Sequence, residues 1–537
     1  MGLDAIDHLD VWVGATEHKP NRGRGAKSKK SDLGLNGMRQ LLISLAVRGK
    51  LTHSLPSDSD AGALLASIGV ERLNYDEFKI QKTATTNIGS DPGLKSTWLA
   101  TNLGSCILGH LGGGTPSKTV SKYWNGDIPW ASVKDIGKEK YVTCTQDSIT
   151  CEGLANSSSN LVPSGCLIVV TRMGLGQLSI NRVDLAINQD LRALFLPSSI
   201  DSEFMYLLMK DQVITGQGLT VKGIKLPDLL GLKFSLPPLE EQQRIVAKVD
   251  ELMGLIDDLE AQTETARESH AELVDALLRT LVESKDANVL TQNWTALSTH
   301  FDALFTTEGS VSKLKATVLD LLTKGYFSRI NDSTWKTCRL SEIADLQSGM
   351  AFKSSVFLKQ GSNQVIRMSN MSPGKLRLKN NAVFISEPDA DESKKVELAT
   401  DDIIMSMTGT KGKRDYLYSV KISEEVLNDR KLFLNQRICR IRSKTCLPDY
   451  LLLSLTSNFV LDPVFDNSTG TANQANASMK SLGGMTIPVP EVREQKRLVD
   501  IFENLLALCD DLLKSIRTSE SLKVELAESV VHHVSVS

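Results

Sequence analysis

The chain has 537 residues, of which 41% are hydrophobic and 23% charged, with a net charge of −3; this is an ordinary globular composition, long enough for three or four domains. No window approaches about 18 uninterrupted apolar residues, which argues against a membrane span, and the acidic first residues lack the apolar core of a signal peptide. Eight cysteines without a CxxC pair argue against a disulfide framework or a zinc ribbon, so a reduced, cytoplasmic protein is expected.

The first feature in chain order is a basic tract, Lys19, Arg22, Arg24, Lys27, Lys29 and Lys30, set among Gly and Ser. It reads equally as a solvated arm or as a nucleic-acid contact. A short helix follows at Met38–Leu51. Residues 98–235 mix turn dipeptides with short β-branched runs such as Cys166–Thr171, the pattern of an α/β domain with long loops. Residues 239–285 then carry apolar positions at steps of three and four (Ile245, Val249, Leu252, Ile256, Leu259), which predicts a long amphipathic helix. A second short helix is predicted at Leu314–Phe327. A second mixed segment spans 335–488, and a second long helix spans 491–534.

This order is a duplication. At an offset of 253, Pro237, Glu241, Gln242, Arg244, Val246, Leu252, Leu255, Asp257, Asp258 and Leu259 meet identical residues, from Pro490 to Leu512. Trp98, Leu103 and Gly112 match Trp335, Leu340 and Gly349. The short helices align at an offset of 276, and Asn188-Gln189 aligns with Asn435-Gln436. The drifting offset marks insertions within one duplicated unit rather than a short solenoid repeat. The expected division is 1–95 as an N-terminal extension with helix 36–51, 96–238 and 333–490 as the mixed domains, 239–332 as a central helical region, and 491–537 as the last helix. Two long helices in a pseudo-symmetric chain pack most simply antiparallel, each with the other unit's short helix nearby. Each stripe of about 45 residues makes a rod of roughly 65 Å.

Charge follows the same division. The net is −7 over 239–285 and −3 over 491–537, but +5 over 333–490. Acidic helices suit protein partners, and the basic mixed segment suits a polyanion.

Catalytic signals are missing. There is no P-loop, HExxH, GxSxG or Asn/Asp-Pro-Pro-aromatic motif, and Gly112–Lys118 is glycine-rich without the Gly-Lys-Ser/Thr ending of a phosphate loop. Nucleic-acid chemistry is better represented. The first mixed segment offers Thr115, Ser117, Lys118, Lys122, Tyr123, Trp124, Arg172, Gln177, Asn181, Arg182 and Lys222. The second offers Lys353, Ser354, Arg367, Asn370, Lys375, Arg377, Lys411, Lys413, Arg414, Asn473, Gln474, Asn476 and Lys480. Arg suits guanine, Asn and Gln suit adenine, and Lys neutralises phosphate.

The motifs Leu236-Pro-Pro-Leu-Glu-Glu-Gln-Gln-Arg-Ile-Val246 and Pro490-Glu-Val-Arg-Glu-Gln-Lys-Arg-Leu-Val499, with Arg39–Leu51 and the Gly112–Ser117 loop, resemble the specificity subunit of type I restriction–modification enzymes. The resemblance covers about 33 to 534. It implies an α+β chain: two α/β target-recognition domains joined by long antiparallel, coiled-coil helices with a pseudo-twofold internal repeat. Each domain would read one half of an asymmetric bipartite DNA site. The helices would fix a spacer, roughly 5–9 base pairs by the rod's length, and would dock two methyltransferase subunits, joined by restriction (motor and nuclease) subunits. Glu241, Gln242, Arg244, Glu494, Gln495 and Arg497 are the expected docking residues. No catalytic residue, metal or cofactor is expected on this chain; S-adenosylmethionine and ATP with Mg belong to the partner subunits. The alternative is a coiled-coil structural adaptor with two protein-binding domains.

Overall fold

The computed structural model describes residues 9–19, 29–76, 78, 80–83, 97–212, 223–328, 335–410, 413–428, 430–467, 469–471 and 474–536. Arg22, Arg24 and Lys27 of the basic tract lie outside these, as do Lys222, Lys411 and Asn473. The chain forms two compact units. The first joins residues 1–264 to 520–537, and the second is 265–519. Each unit therefore takes the first or last part of both long helices, Leu239–Val282 and Val492–Val536.

In the first unit, the short helix is Leu33–Val47, starting earlier than expected and stopping at Gly49. Lys50 N–H bonds the Leu45 carbonyl, Gly49 N–H bonds that of Ala46, and Gly49 sits at φ 68°. This left-handed cap suits glycine because it has no Cβ to clash. The mixed domain beside it holds a six-stranded sheet, in the order Gln81–Lys82, Gly109–Gly112, Leu191–Phe195, Leu167–Val170, Leu178–Asn181, Tyr141–Val142. A four-stranded sheet sits with it, centred on the parallel pair Trp124–Ala131 and Leu185–Ile187. The N-terminal extension is not a separate body. Leu64 and Ile68 of helix Ala61–Asn74 are buried in the same core as Leu35, Leu167 and Leu178. That core also takes in Ile245, Val249 and Ile256 from the start of the long helix. Helix Leu9–Gly14 places Trp12 against Leu41 of the short helix and Ala527 of the last helix.

The second unit repeats the plan. Its short helix, Glu308–Thr323, ends at Gly325 (φ 86°), with Tyr326 N–H on the Leu321 carbonyl and Gly325 N–H on that of Leu322. Its mixed domain has a four-stranded sheet, Ala344–Ser348, Ile438–Ser443, Ile403–Ser406, Ser419–Lys421. A three-stranded sheet, Phe384–Ile385, Asn363–Ile366, Lys431–Leu434, contains a parallel pair like that of the first unit's four-stranded sheet. Leu314 and Leu321 of the short helix pack with Val274 and Leu278 of the first long helix and with Leu512 and Ile516 of the second. Each short helix thus meets both long helices, its own repeat's as well as the other's.

Candidate nucleic-acid interface

In the first mixed domain, strand register brings the loops together. Gly112 pairs with Arg192, Val170 with Leu191, and Ala131 with Ile187. The first two pairs lie in the six-stranded sheet and the third in the four-stranded sheet, and the segments 113–123, 132–135, 171–177 and 188–190 leave from the same ends of these strands, forming one loop edge. Gly113 can approach the next strand only because it lacks a side chain; a Cβ there would lie 1.9 Å from the Ile187 carbonyl oxygen. Gly114 N–H then bonds that carbonyl at 3.0 Å.

This edge gathers several of the expected residues. Thr115 Oγ1 donates to Gln189 Oε1, Gln189 Nε2 donates to Asp190 at 3.2 Å, and Arg172 pairs with Asp190 at 3.1 Å. Ser117, Lys118 and Gln177 are exposed. Trp124 Nε1 donates to the Ser117 carbonyl at 3.1 Å, and the indole stacks edge-on against Trp130 at 5.1 Å. A register shift between Trp124 and Ile128 in their strand accompanies this. Lys122 lies over the Tyr123 ring and is ion-paired with Glu152, whose hydrogen bond raises the ammonium pKa above the ordinary lysine value.

The second mixed domain builds the same edge. Ser348 pairs with Cys439, Ser406 with Ile438, and Ile366 with Leu434. Segments 349–357, 367–381, 407–410 and 435–437 leave there, with 413–416 among the described residues before the next strand. A Cβ at Gly349 would lie 2.0 Å from the Asn435 carbonyl oxygen, and Met350 N–H bonds the Leu434 carbonyl at 3.0 Å. Gly349 is therefore the counterpart of Gly113, one residue beyond the Gly112 suggested by sequence alone. Arg367 lies 5.8 Å over the Phe357 ring and donates to the Asn381 carbonyl. Lys353, Ser354, Lys375, Arg377 and Lys413 are exposed. Among the described residues, Lys353, Lys375 and Arg377 have no carboxylate partner, so their charge faces water. Asn476 is exposed on strand Gln474–Asn476, which pairs with Thr408–Gly409.

Five expected residues are elsewhere or otherwise engaged. Asn181 is fully buried; its amide donates to the Pro163 and Val183 carbonyls and its Oδ1 accepts from Cys166 N–H. Asn370 is also fully buried, accepting from Arg367 N–H and donating to the Arg377 and Asn380 carbonyls. Its counterpart in the first domain is an acid, Asp135, which accepts from Ser132 N–H at 2.9 Å. Both asparagines are framework, because their hydrogen-bonding capacity is spent on backbone. Arg182 leaves from the opposite sheet edge, pairs with Glu203 and lies 4.1 Å over Tyr141. Arg414 is ion-paired with Asp462 at 2.6 Å. Lys480, on the short helix Met479–Gly483, lines a cleft with Phe459, Pro463 and Thr486.

The six expected docking residues are turned inward to differing degrees. Glu241 and Gln242 are fully buried and Gln495 is 1% exposed. Glu241 accepts from Trp98 Nε1 at 3.0 Å and Ser54 Oγ at 2.8 Å. Arg244 grips Asp58 through both terminal nitrogens, while Arg497 pairs with Glu494 and donates to the Phe327 carbonyl. A partner could not reach the side chains of Glu241, Gln242 or Gln495 in this conformation.

Sequence reasoning missed Lys134 and Met173. Both are exposed and both follow strands that end at the loop edge. Met173 is 68% exposed at φ 62°, and an apolar group there suits a thymine methyl. Only the strand register identifies them.

Among the described residues no helix is long and apolar enough to cross a membrane. Residues 107–266 and 332–520 match the type I restriction modification DNA specificity domain. The EcoAI specificity subunit of Escherichia coli is 25% identical over 98% of both chains, and the EcoEI specificity subunit 24% over 98% of both. Among solved structures, the HsdS subunit from Thermoanaerobacter tengcongensis is similar over 82% of this chain and 97% of its own, at 16% identity and a TM-score of 0.39. With a duplicated framework, two loop edges and a family match on both halves, the chain belongs to the type I restriction–modification specificity subunits.

Proposed function

We propose that this chain is the non-catalytic DNA-recognition subunit of a type I restriction–modification complex, and that its two domains read the two unlike halves of a bipartite site. The observation that carries this is one framework presenting two different surfaces. Equivalent strands, glycines and carbonyl bonds support Thr115, Lys118, Arg172, Gln177 and Gln189 at the first edge, but Lys353, Lys375 and Arg377 at the second. Shared backbone with unshared side chains is what two unlike half-sites require. The long helices fix the separation of the two readers. S-adenosylmethionine and ATP with Mg are bound by the partner subunits.

Docking of two methyltransferase subunits is assigned to the exposed side of the long helices. The duplication keeps Leu255 and Leu508, Asp258 and Asp511, Glu272 and Glu525, and Leu273 and Leu526 identical, and all eight are exposed. Burial explains identity at Val246 and Leu252 but not at these positions; binding the same partner twice explains it. Restriction subunits join that core.

Adenine methylation mapped genome-wide, in cells with the chain and its methyltransferase partner and in cells lacking only the chain, tests the reading. The expected result is one asymmetric two-part site that vanishes with the chain. Methylation unchanged by its loss, with no DNA retained in a gel shift of the complex, favours the structural adaptor instead.

A further inference from the structure

Gln242 and Gln495 occupy the same junction in the two units. Gln242 Nε2 donates to the Pro237 carbonyl at 3.0 Å, and its Oε1 accepts from Asp201 N–H at 2.9 Å. Gln495 Nε2 donates to the Pro490 carbonyl at 2.9 Å, and its Oε1 accepts from Leu447 N–H at 2.8 Å. Pro237 and Pro490 end the last strand segment of each recognition domain. Asp201 and Leu447 are the N-cap residues of Ser202–Asp211 and Pro448–Ser454, the helices that follow each central sheet. One buried amide in the first turn of each long helix therefore holds two separate parts of the adjoining domain.

The supporting contacts differ between the units. The first adds Glu241, which accepts from Trp98 Nε1. The second adds Tyr450, whose hydroxyl donates to the Pro488 carbonyl at 2.7 Å. The glutamine makes both of its bonds in both units. A buried amide that satisfies one donor and one acceptor on different segments fixes orientation as well as distance, because neither bond survives a rotation of one segment against the other.

We infer that Gln242 and Gln495 are the joints that fix the angle of each recognition domain on its long helix, and so are positioning residues for the spacing between the two half-sites. This rests on the two-reader function proposed above. A loosened joint lets a domain swing to meet a half-site displaced by one base pair, while the loops that read bases are untouched.

The test uses the full complex of this chain with its methyltransferase partner. Duplexes carry the mapped site with its own spacer, or with one base pair added or removed. Gln242→Leu and Gln495→Leu are each expected to raise methylation of the off-spacer duplexes about tenfold relative to the mapped spacer, since small displacements change rates by such factors. Preference for the bases of both half-sites stays as in the wild type. A merely structural role lowers all duplexes alike and leaves the ratio unchanged; that result overturns the inference. Should either leucine variant fail to fold, Gln242→Glu or Gln495→Glu keeps an acceptor for the N-cap N–H and removes the donor to proline, and the same ratio decides. A wild-type complex with no sequence preference overturns the two-reader function itself, whereas a normal wild type with unchanged variants overturns only the joint.

Discussion

Arg39 of the first short helix donates to Asp257 of the first long helix at 2.7 Å, and Lys315 of the second short helix pairs with Asp510 of the second long helix in the same way. Arg39 and Lys315 are equivalent in the duplication, and so are the two aspartates. The repeat thus preserves an interaction and not only a residue pattern, although the cation has changed. Arg39 also reaches Glu260, and despite burial these two carboxylates raise its pKa above the ordinary arginine value.

These pairs are partly exposed, and such bridges contribute little. Asp257→Ala is expected to cost about 0.5 kcal/mol, and Arg39→Ala about 1 kcal/mol because it loses two partners. The exchange Arg39→Asp with Asp257→Arg should recover part of the loss in denaturant titrations. A single variant that unfolds the chain would show that the pair matters far beyond its exposure.

Asp320 behaves differently because it is buried. Its carboxylate accepts from Ser457 Oγ at 2.7 Å, Asn458 Nδ2 at 3.3 Å and Phe459 N–H at 3.3 Å, tying the short helix to the second recognition domain. Asp320→Ala leaves these donors unmet and should destabilise the second unit by about 2 to 3 kcal/mol. Chemical denaturation measures it, and an effect below about 0.5 kcal/mol would contradict the assignment.

Glycines at the loop edges should be selective in their effect. Gly113→Ala forces a Cβ into the Ile187 carbonyl and Gly349→Ala into that of Asn435. Each is expected to relax or abolish recognition of one half-site while the other is still read. Methylation of duplexes randomised at one half-site measures this; loss of both halves from either variant would argue against independent domains.

Exposed cations and framework asparagines should separate cleanly in DNA binding. Arg377→Ala is expected to weaken binding and lower the slope of log affinity against log salt by about one, as the loss of one phosphate contact does. Arg414→Ala should leave that slope unchanged, because Asp462 already neutralises it. Asn181→Ala should cost about 1 to 3 kcal/mol of stability with no change in the bases selected. Altered base selection by a folded Asn181→Ala protein would return that residue to the interface.

His110 supplies a pH dependence. Burial, and then the Arg192 guanidinium, hold its pKa down to about 4, and its Nδ1 faces Arg192 Nη1 at 2.9 Å. In the unfolded chain a histidine titrates near ~6.5. The unfolded state therefore takes up the proton first as pH falls. Stability from the neutral ring is full above about 6.5 and is lost progressively down to about 4. His110→Gln should flatten this window in thermal unfolding curves recorded from pH 4 to 7; an unchanged slope would assign the dependence to other groups.

The duplication, the order of elements, the long helices and the family resemblance were all legible in the linear pattern. Repeated motifs survive as strings, and helical burial has a period of 3.6 residues. The glycines that stop both short helices were equally visible, because a left-handed cap selects one residue type. The candidate interface was legible only in part. Thr115, Lys118, Arg172, Lys353 and Arg377 lie on the loops at the strand ends. Asn181, Asn370, Arg182, Arg414 and Lys480 have the same chemistry and a different position. An asparagine that reads adenine and one that ties three backbone segments together are the same letters.

The sequence alone therefore determined what recurs: two copies of helix, mixed domain and long helix, without a catalytic motif. Tertiary structure decided which polar residues face outward. That choice depends on strand register, where a shift of one residue reverses the side-chain face, and on hydrogen bonds between segments far apart in the chain. The Glu-Gln-x-Arg signature shows the difference most clearly. It looked like a surface for partners, yet Gln242 and Gln495 are buried between a proline carbonyl and an N-cap amide that no local pattern connects to them.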